Sequence, residues 1–318
     1  MRAWVAAAAL CAVALGGCNR SRKKVIAVVP KATSHTFWVS VEAGARAAGR
    51  DLDVDVLWNG PAQETEYDRQ IQIVDSMVAR HVDGLALAAT ERKALVGPVG
   101  RAMAAGIPVT IFDSGLDSEN YMTFLATNNY EAGQMAAREL ARLLGGRGKV
   151  GIVLHAPGSL STMDRERGFE DAMTKEFPQV RIVARQYGMS SRAKSRDAAE
   201  NILTATPDLD GLFASTEPSA AGAALAIKSR GLAGKVKFIA FDASESMVAD
   251  LRAGLIHAMV VQDPFRIGYE SVKTLVDKLH GKQPPKHIDL SARVVRAVDL
   301  DKPEIHALLF PDLKKGLQ

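Results

Sequence analysis

The chain has 318 residues, 47% hydrophobic and 24% charged, which describes a soluble globular protein with one large or two ordinary domains. Its formal net charge of +4 is spread along the sequence apart from "RSRKK" at 20–24, a pattern of solvated faces that argues against a nucleic-acid footprint. The only two cysteines are Cys11 and Cys18, so the globular part has neither a disulfide framework nor a cysteine zinc site.

The opening "MRAWVAAAALCAVALGGC" places one arginine before an apolar run that is short for a membrane span and fits a signal-peptide core. Its end, "LGGC", resembles the bacterial lipobox. That resemblance implies that 1–18 is a lipoprotein signal, that Cys18 is lipidated, and that "NRSRKK" (19–24) is a polar tether. The rest of the chain is then expected on the periplasmic, extracytoplasmic side, held to the membrane by the lipid alone.

From Val25 short apolar runs alternate with amphipathic stretches. "VIAVV" (25–29) precedes a helix at about 38–52, and "VDVLW" (54–58) precedes "ETEYDRQIQIVDSMVARH", where Tyr67, Ile71, Val74 and Val78 recur at helical spacing. "GLALAA" (84–89) precedes a helix in 92–106. "IPVTIF" (107–112) and "YMTFLAT" (121–127) follow, then a helix in 129–146. The second half repeats the rhythm. Strands "KVGIVL" (149–154), "VRIVAR" (180–185), "GLFAS" (211–215), "VKFIAF" (236–241) and "IHAMVVQ" (256–262) alternate with helices near 163–176, 192–205, 218–230 and 244–253. Continuously apolar strands between helices predict parallel sheets covered on both faces. The order predicts an α/β protein of two similar doubly wound lobes with a cleft between them.

Open parallel sheets bind ligands at the carboxyl ends of their strands. After the first strand stand Lys31, Ser34, His35, Phe37 and Trp38, and after "IPVTIF" stand Asp113 and Ser114. Asp164 and Arg165 follow "KVGIVL", Thr216 and Glu217 follow "GLFAS", Asp242 follows "VKFIAF", and Gln262 follows "IHAMVV". Taken singly, Asp113, Thr216 and Asp242 are candidate caps or turn residues. Together, acceptor-only carboxylates, donor-only arginine and aromatic rings suit an uncharged polyhydroxylated ligand. Phe37 and Trp38 are expected to form the wall against a sugar ring. No G-x-G-x-x-G, phosphate loop or G-x-S-x-G elbow occurs. The histidines show no metal-ligand spacing and read as surface residues, His35 excepted. No catalytic group, cofactor or metal is expected.

The chain resembles the periplasmic sugar-binding proteins of bacterial ABC importers, the ribose-binding type, over nearly all of 24–300. The marks are "FWVS" (37–40), "IPVTIFDS" (107–114), "RERGF" (165–169), "ILTATPDLDGLFAS" (202–215), "FIAFDAS" (238–244) and "VVQDPFRIGYESV" (260–272). The resemblance implies a type I periplasmic binding protein fold, with a hinge, three crossings, an N-lobe of 24–126 plus 259–288 and a C-lobe of 127–258 plus 289–318. It implies sugar contacts from His35, Phe37 and Trp38, and hydroxyl binding by Asp113, Arg165, Asp242 and Gln262. Ser114, Ser190 and Thr216 match contact positions where the ribose pattern has an arginine, an aromatic and an asparagine, which implies a roomier site. "IAVVPK", "DVLWNGPAQETEYDRQIQIV" and "FDSG" are similar to the rhamnose and autoinducer-2 branch, where Lys31 and the Asp164–Arg165 pair would be contacts. The function implied is a monomeric binding protein delivering a sugar to an ABC permease, or presenting it to a membrane receptor, without nucleic acid. The sugar-responsive repressors that share the core fold carry an N-terminal helix-turn-helix, for which the stretch before Lys24 leaves no room.

Overall fold

A computed structural model of the chain describes residues 22–313. Cys18, the signal segment and residues 19–21 of the tether lie outside the described residues.

The first half builds β1 (Val25–Val29), α1 (Thr36–Asp51), β2 (Asp55–Trp58), α2 (Tyr67–Ala79), β3 (Gly84–Leu87), α3 (Val96–Ala104), β4 (Val109–Phe112) and β5 (Thr123–Thr127). The chain continues through α4 (Asn129–Leu143), β6 (Arg147–Leu154), α5 (Leu160–Glu176), β7 (Gln179–Tyr187), α6 (Arg192–Ala205), β8 (Gly211–Ala214) and α7 (Glu217–Ser229). It ends with β9 (Lys237–Phe241), α8 (Glu245–Arg252), β10 (Ala258–Val261), α9 (Pro264–Leu279), β11 (His287–Leu290), β12 (Arg293–Val295), a 3-10 turn (Ala297–Asp299) and α10 (Pro303–Leu309).

Two six-stranded sheets result, ordered β11-β5-β4-β3-β1-β2 and β12-β10-β9-β8-β6-β7. Every pairing is parallel except β10 with β12. β3, β4, β8 and β10 are buried along their whole length, because helices cover both sheet faces. Each sheet accordingly carries an apolar cluster on each face. The edge strand β7 alternates instead, with exposed residues at every second position.

The helix after each crossing locks onto its new lobe. α4 packs on α5, and α9 packs on α1. Both contacts depend on glycine. A Cβ on Gly44 of α1 would stand 1.9 Å from the Phe265 carbonyl oxygen, and one on Gly133 of α4 would stand 1.9 Å from that of Arg165. Only a residue without a side chain permits backbones to approach so closely.

The elements expected from periodicity are present, with two differences of substance. In α2 the buried face is Gln70, Ile73, Val74 and Met77, while Tyr67 is exposed. Gln70 takes a place in that face because its amide donates to the carbonyls of Pro30 (2.9 Å) and Ala88 (2.7 Å), satisfying two strand ends. The crossings also fall beyond the expected limits. β10 is bonded within the second sheet and β11 within the first, so the chain passes between sheets at 261–264 and 290–293, rather than at 258/259 and 288/289. No described helix is long and apolar enough to cross a membrane.

Candidate functional site

The carboxyl ends of the strands in both lobes converge on one cavity. Nine of the expected residues line it: Lys31, His35, Phe37, Trp38, Asp113, Arg165, Thr216, Asp242 and Gln262. Glu64, Ser161, Thr162, Glu217 and Pro218 complete the lining.

On the first-lobe side the centre is Lys31, 3% exposed. Its ammonium lies 3.4 Å from Glu64 Oε2 and 3.4 Å from Asp113 Oδ2. It also donates across the cleft to the hydroxyls of Ser159 (3.0 Å) and Ser161 (3.4 Å). Glu64, from the loop after β2, accepts the Trp38 indole N–H at 2.9 Å and lies 3.2 Å from His35 Nδ1 through the same Oε1. Its Oε2 lies 3.2 Å from His155 Nε2, on the opposite lobe. Burial works against ionisation of Glu64, but Lys31 and His155 outweigh it and hold the carboxyl well below its usual range. Burial pushes His155 down, with Glu64 opposing. For His35 burial acts downward too, yet Glu64 lifts it above the ordinary value.

Asp113 follows β4 with φ of 58°, a left-handed conformation that aspartate tolerates better than most residues and that turns its carboxylate back into the cleft. Burial raises its pKa, Lys31 only partly offsetting it. Asp242 stands in the corresponding place after β9 with φ of 62°. It accepts from Gln262 Nε2 at 2.8 Å and from the Glu217 backbone N–H at 3.2 Å. Burial pushes its pKa up to about 6, against the pull of Arg165.

Arg165 is 2% exposed and immobilised on three sides. It donates to Asn129 Oδ1 at 2.7 Å and to the Ser215 carbonyl at 2.5 Å, and its guanidinium lies 3.5 Å from the centre of the Phe241 ring. Behind it Glu166 accepts from the His155 backbone N–H (2.8 Å) and the Ser215 hydroxyl (2.7 Å), and burial pushes its pKa up to about 7.

Three expected residues stand elsewhere. Asp164 is about 100° around α5 from Arg165. It accepts from Arg167 at 2.8 Å on the outer face, whereas Ser161, Thr162 and Arg165, three and four residues apart, share the cleft face. Ser114 lies beneath the lining, where its hydroxyl accepts from the Ser161 N–H at 3.3 Å and ties the lobes together. Ser190 follows β7, buried at φ of 53°, and is not part of the lining. Trp38 borders the cavity and belongs to the core as well. It is 1% exposed, bonded to Glu64, and packed edge-on against Phe37 (5.0 Å) and Phe112 within the core. Phe37 alone of the pair is partly open. Thr216 both lines the cavity and caps α7, accepting from the Ser219 N–H.

Glu64 and His155 are the partners that strand-end reasoning missed. Glu64 lies in the loop after β2, an edge strand, six residues beyond its end. His155 follows β6 directly, but as a lone histidine it reads as a surface residue; it is 1% exposed. Among the described residues no group of His, Cys, Asp or Glu is arranged to hold a metal ion.

The space left between these groups is about 30 Å³, room for about two waters but not for a sugar ring. Lys31–Ser159, Glu64–His155 and Ser161–Ser114 all cross between lobes, so this is a closed arrangement. A larger ligand enters only when those bonds part.

A model of the periplasmic binding protein domain matches residues 26–283. The chain is 30% identical over 273 residues to the D-ribose/D-allose-binding protein of Pseudomonas aeruginosa, covering 83% of this chain and 85% of that protein. Among solved structures, a carbohydrate transporter solute-binding protein from Agrobacterium radiobacter, in complex with D-arabinose, superposes with a TM-score of 0.89 at 34% identity over 91% of this chain and 100% of that one. An ABC transporter solute-binding protein from Agrobacterium vitis with bound D-fucose gives 0.87 at 35% identity over 90% and 100%.

Proposed function

Because the chain belongs to the periplasmic binding protein family, whose members bind and carry rather than catalyse, we propose that it captures a monosaccharide-like ligand between its lobes and delivers it to an ABC permease. In this reading it works outside the cytoplasm, tethered through a lipid on Cys18. His35, Phe37, Asp113, Arg165, Thr216, Asp242 and Gln262 are the proposed ligand contacts, joined by Lys31, Glu64 and Ser161.

One observation carries the reading. Arg165 Nε, Gln262 Oε1 and Asp113 Oδ2 are buried at the cavity without a hydrogen-bond partner; Asp113 has only the looser ion pair to Lys31. Buried polar groups left in this state are costly, and hydroxyls, which both donate and accept, satisfy all three. A ligand rich in hydroxyls therefore favours the closed form over the open one, and closure is the signal a permease can read.

The rhamnose or autoinducer-2 reading draws support from Lys31, which lines the cavity, and loses support from Asp164, which does not. A thermal-shift screen of the mature domain against pentoses, hexoses, deoxy sugars, cyclitols and autoinducer-2 separates the two. Ligand at a hundred times its dissociation constant adds about 2.7 kcal/mol of stability. A shift with ribose, allose, arabinose or fucose sustains the first reading, and a shift with rhamnose or autoinducer-2 alone moves the protein to the second. No shift with any sugar overturns the sugar assignment.

A further inference from the structure

Beside the cleft lies a second cavity of about 350 Å³, within the usual range of ligand pockets, against about 30 Å³ in the cleft itself. The two share Phe37, Asp242 and Gln262, which line both. Beyond these residues the wall of the second cavity is mainly apolar, with Val261, Pro264, Leu308, Leu309, Phe310 and Leu313, interrupted by Thr36, Ser40, Ser244, Glu245 and Asp312. α10 and the residues after it supply one side, and the crossing from β10 to α9 supplies another. The cavity thus stands where a ligand held at Asp242 and Gln262 would project its next atoms. Gln262 is 2% exposed, and its Oε1 has no partner.

The geometry points to a two-part ligand: a polyhydroxylated ring held in the cleft, and an apolar alkyl or aryl substituent carried past Phe37 into the second cavity. The preferred cargo is therefore a glycoside or O-alkylated sugar rather than a free monosaccharide. This inference rests on the sugar reading above and narrows it. A free monosaccharide satisfies Asp113, Arg165 and Gln262 but leaves the apolar wall in contact with water. An aryl group adds burial against that wall without asking anything further of the polar groups.

Calorimetric titration of the mature protein with free D-glucose, D-galactose, D-fucose and D-arabinose, and with their methyl and phenyl glycosides, tests it. For at least one sugar the phenyl glycoside is expected to bind about tenfold or more tightly than the methyl glycoside. Leu309→Trp, which fills the second cavity from α10, is expected to erase that advantage while free-sugar binding stays unchanged; Leu313→Trp does the same from beyond the helix if the first variant folds poorly. Free sugars binding with no gain for phenyl overturns the second cavity as a ligand site and leaves the sugar reading standing. A phenyl advantage that survives in both folded variants also overturns it. No binding by any of these compounds overturns the glycoside inference, while the sugar reading stands or falls on the wider thermal-shift screen.

Discussion

The two lobes solve the same backbone problem and dress it with different charges. In each, an aspartate after the fourth strand of the wound unit, Asp113 or Asp242, adopts a left-handed conformation to face the cleft. In each, the helix after a crossing docks through glycine, Gly268 of α9 on α1 and Gly133 of α4 on α5. The side chains then diverge. The first lobe presents Lys31, a flexible point charge shared among Glu64, Asp113 and two serines of the other lobe. The second presents Arg165, a planar fork held by Asn129, Ser215 and Phe241 before anything binds. The second lobe's cation is held by groups of its own lobe, whereas the first lobe's is held partly by partners across the cleft.

Arg165→Met should break this comparison most severely. It removes the counter-charge near buried Asp242 and unpairs Asn129, so stability should fall by about 3–5 kcal/mol in urea titration. A loss of ligand affinity with full stability would show that the guanidinium is no structural anchor. Trp38→Ala is expected to cost about 3–5 kcal/mol as well, because the indole that borders the cavity is also packed in the core. Unchanged stability with weaker binding would leave it as wall alone. Lys31→Met should also cost stability, since buried Glu64 loses the cation that chiefly holds it ionised, while Asp113, whose pKa burial raises, loses an ion pair. Its expected signature is a changed sugar preference across the screen, and an unchanged preference would refute a part for Lys31 in ligand choice. Ser161→Ala removes the hydroxyl that accepts from Lys31 across the cleft, and the expected loss is about 1 kcal/mol.

pH separates the carboxylates by sign. Asp242 at about 6 and Glu166 at about 7 have folded pKa values above their ordinary ones. Their contribution to stability is complete below about pH 4 and is lost as pH rises through 6 to 7. Glu64 runs the other way: held well below its usual range, it stabilises the fold above that range and loses this in strong acid. Asp242→Asn and Glu166→Gln should flatten the decline between pH 4 and 7 in urea-denaturation series, while Glu64→Gln should leave that decline in place. A decline that persists in the Asp242 and Glu166 variants would assign it to other groups.

Chain order and apolar periodicity were enough to read the alternating strands and helices, the two-lobe α/β class and the cleft at the strand ends, because buried parallel strands must be continuously apolar and their carboxyl ends must share one edge. Asp113, Asp242 and Gln262 were legible for the same reason, as polar residues placed directly after such strands, whereas Arg165 lies on α5, eleven residues beyond β6. The orientation of Asp164 was not, since it depends on which face α5 turns toward the cleft. Nor was the core position of Trp38, which only the packing of Phe37 and Phe112 and the acceptor on Glu64 determine. Glu64 and His155 lie 91 residues apart in sequence and 3.2 Å apart in space. Local pattern carries the elements and their order. Which distant polar groups meet across the cleft was decided by tertiary structure alone, because a buried contact between lobes is set by their approach and leaves no periodic trace in either strand.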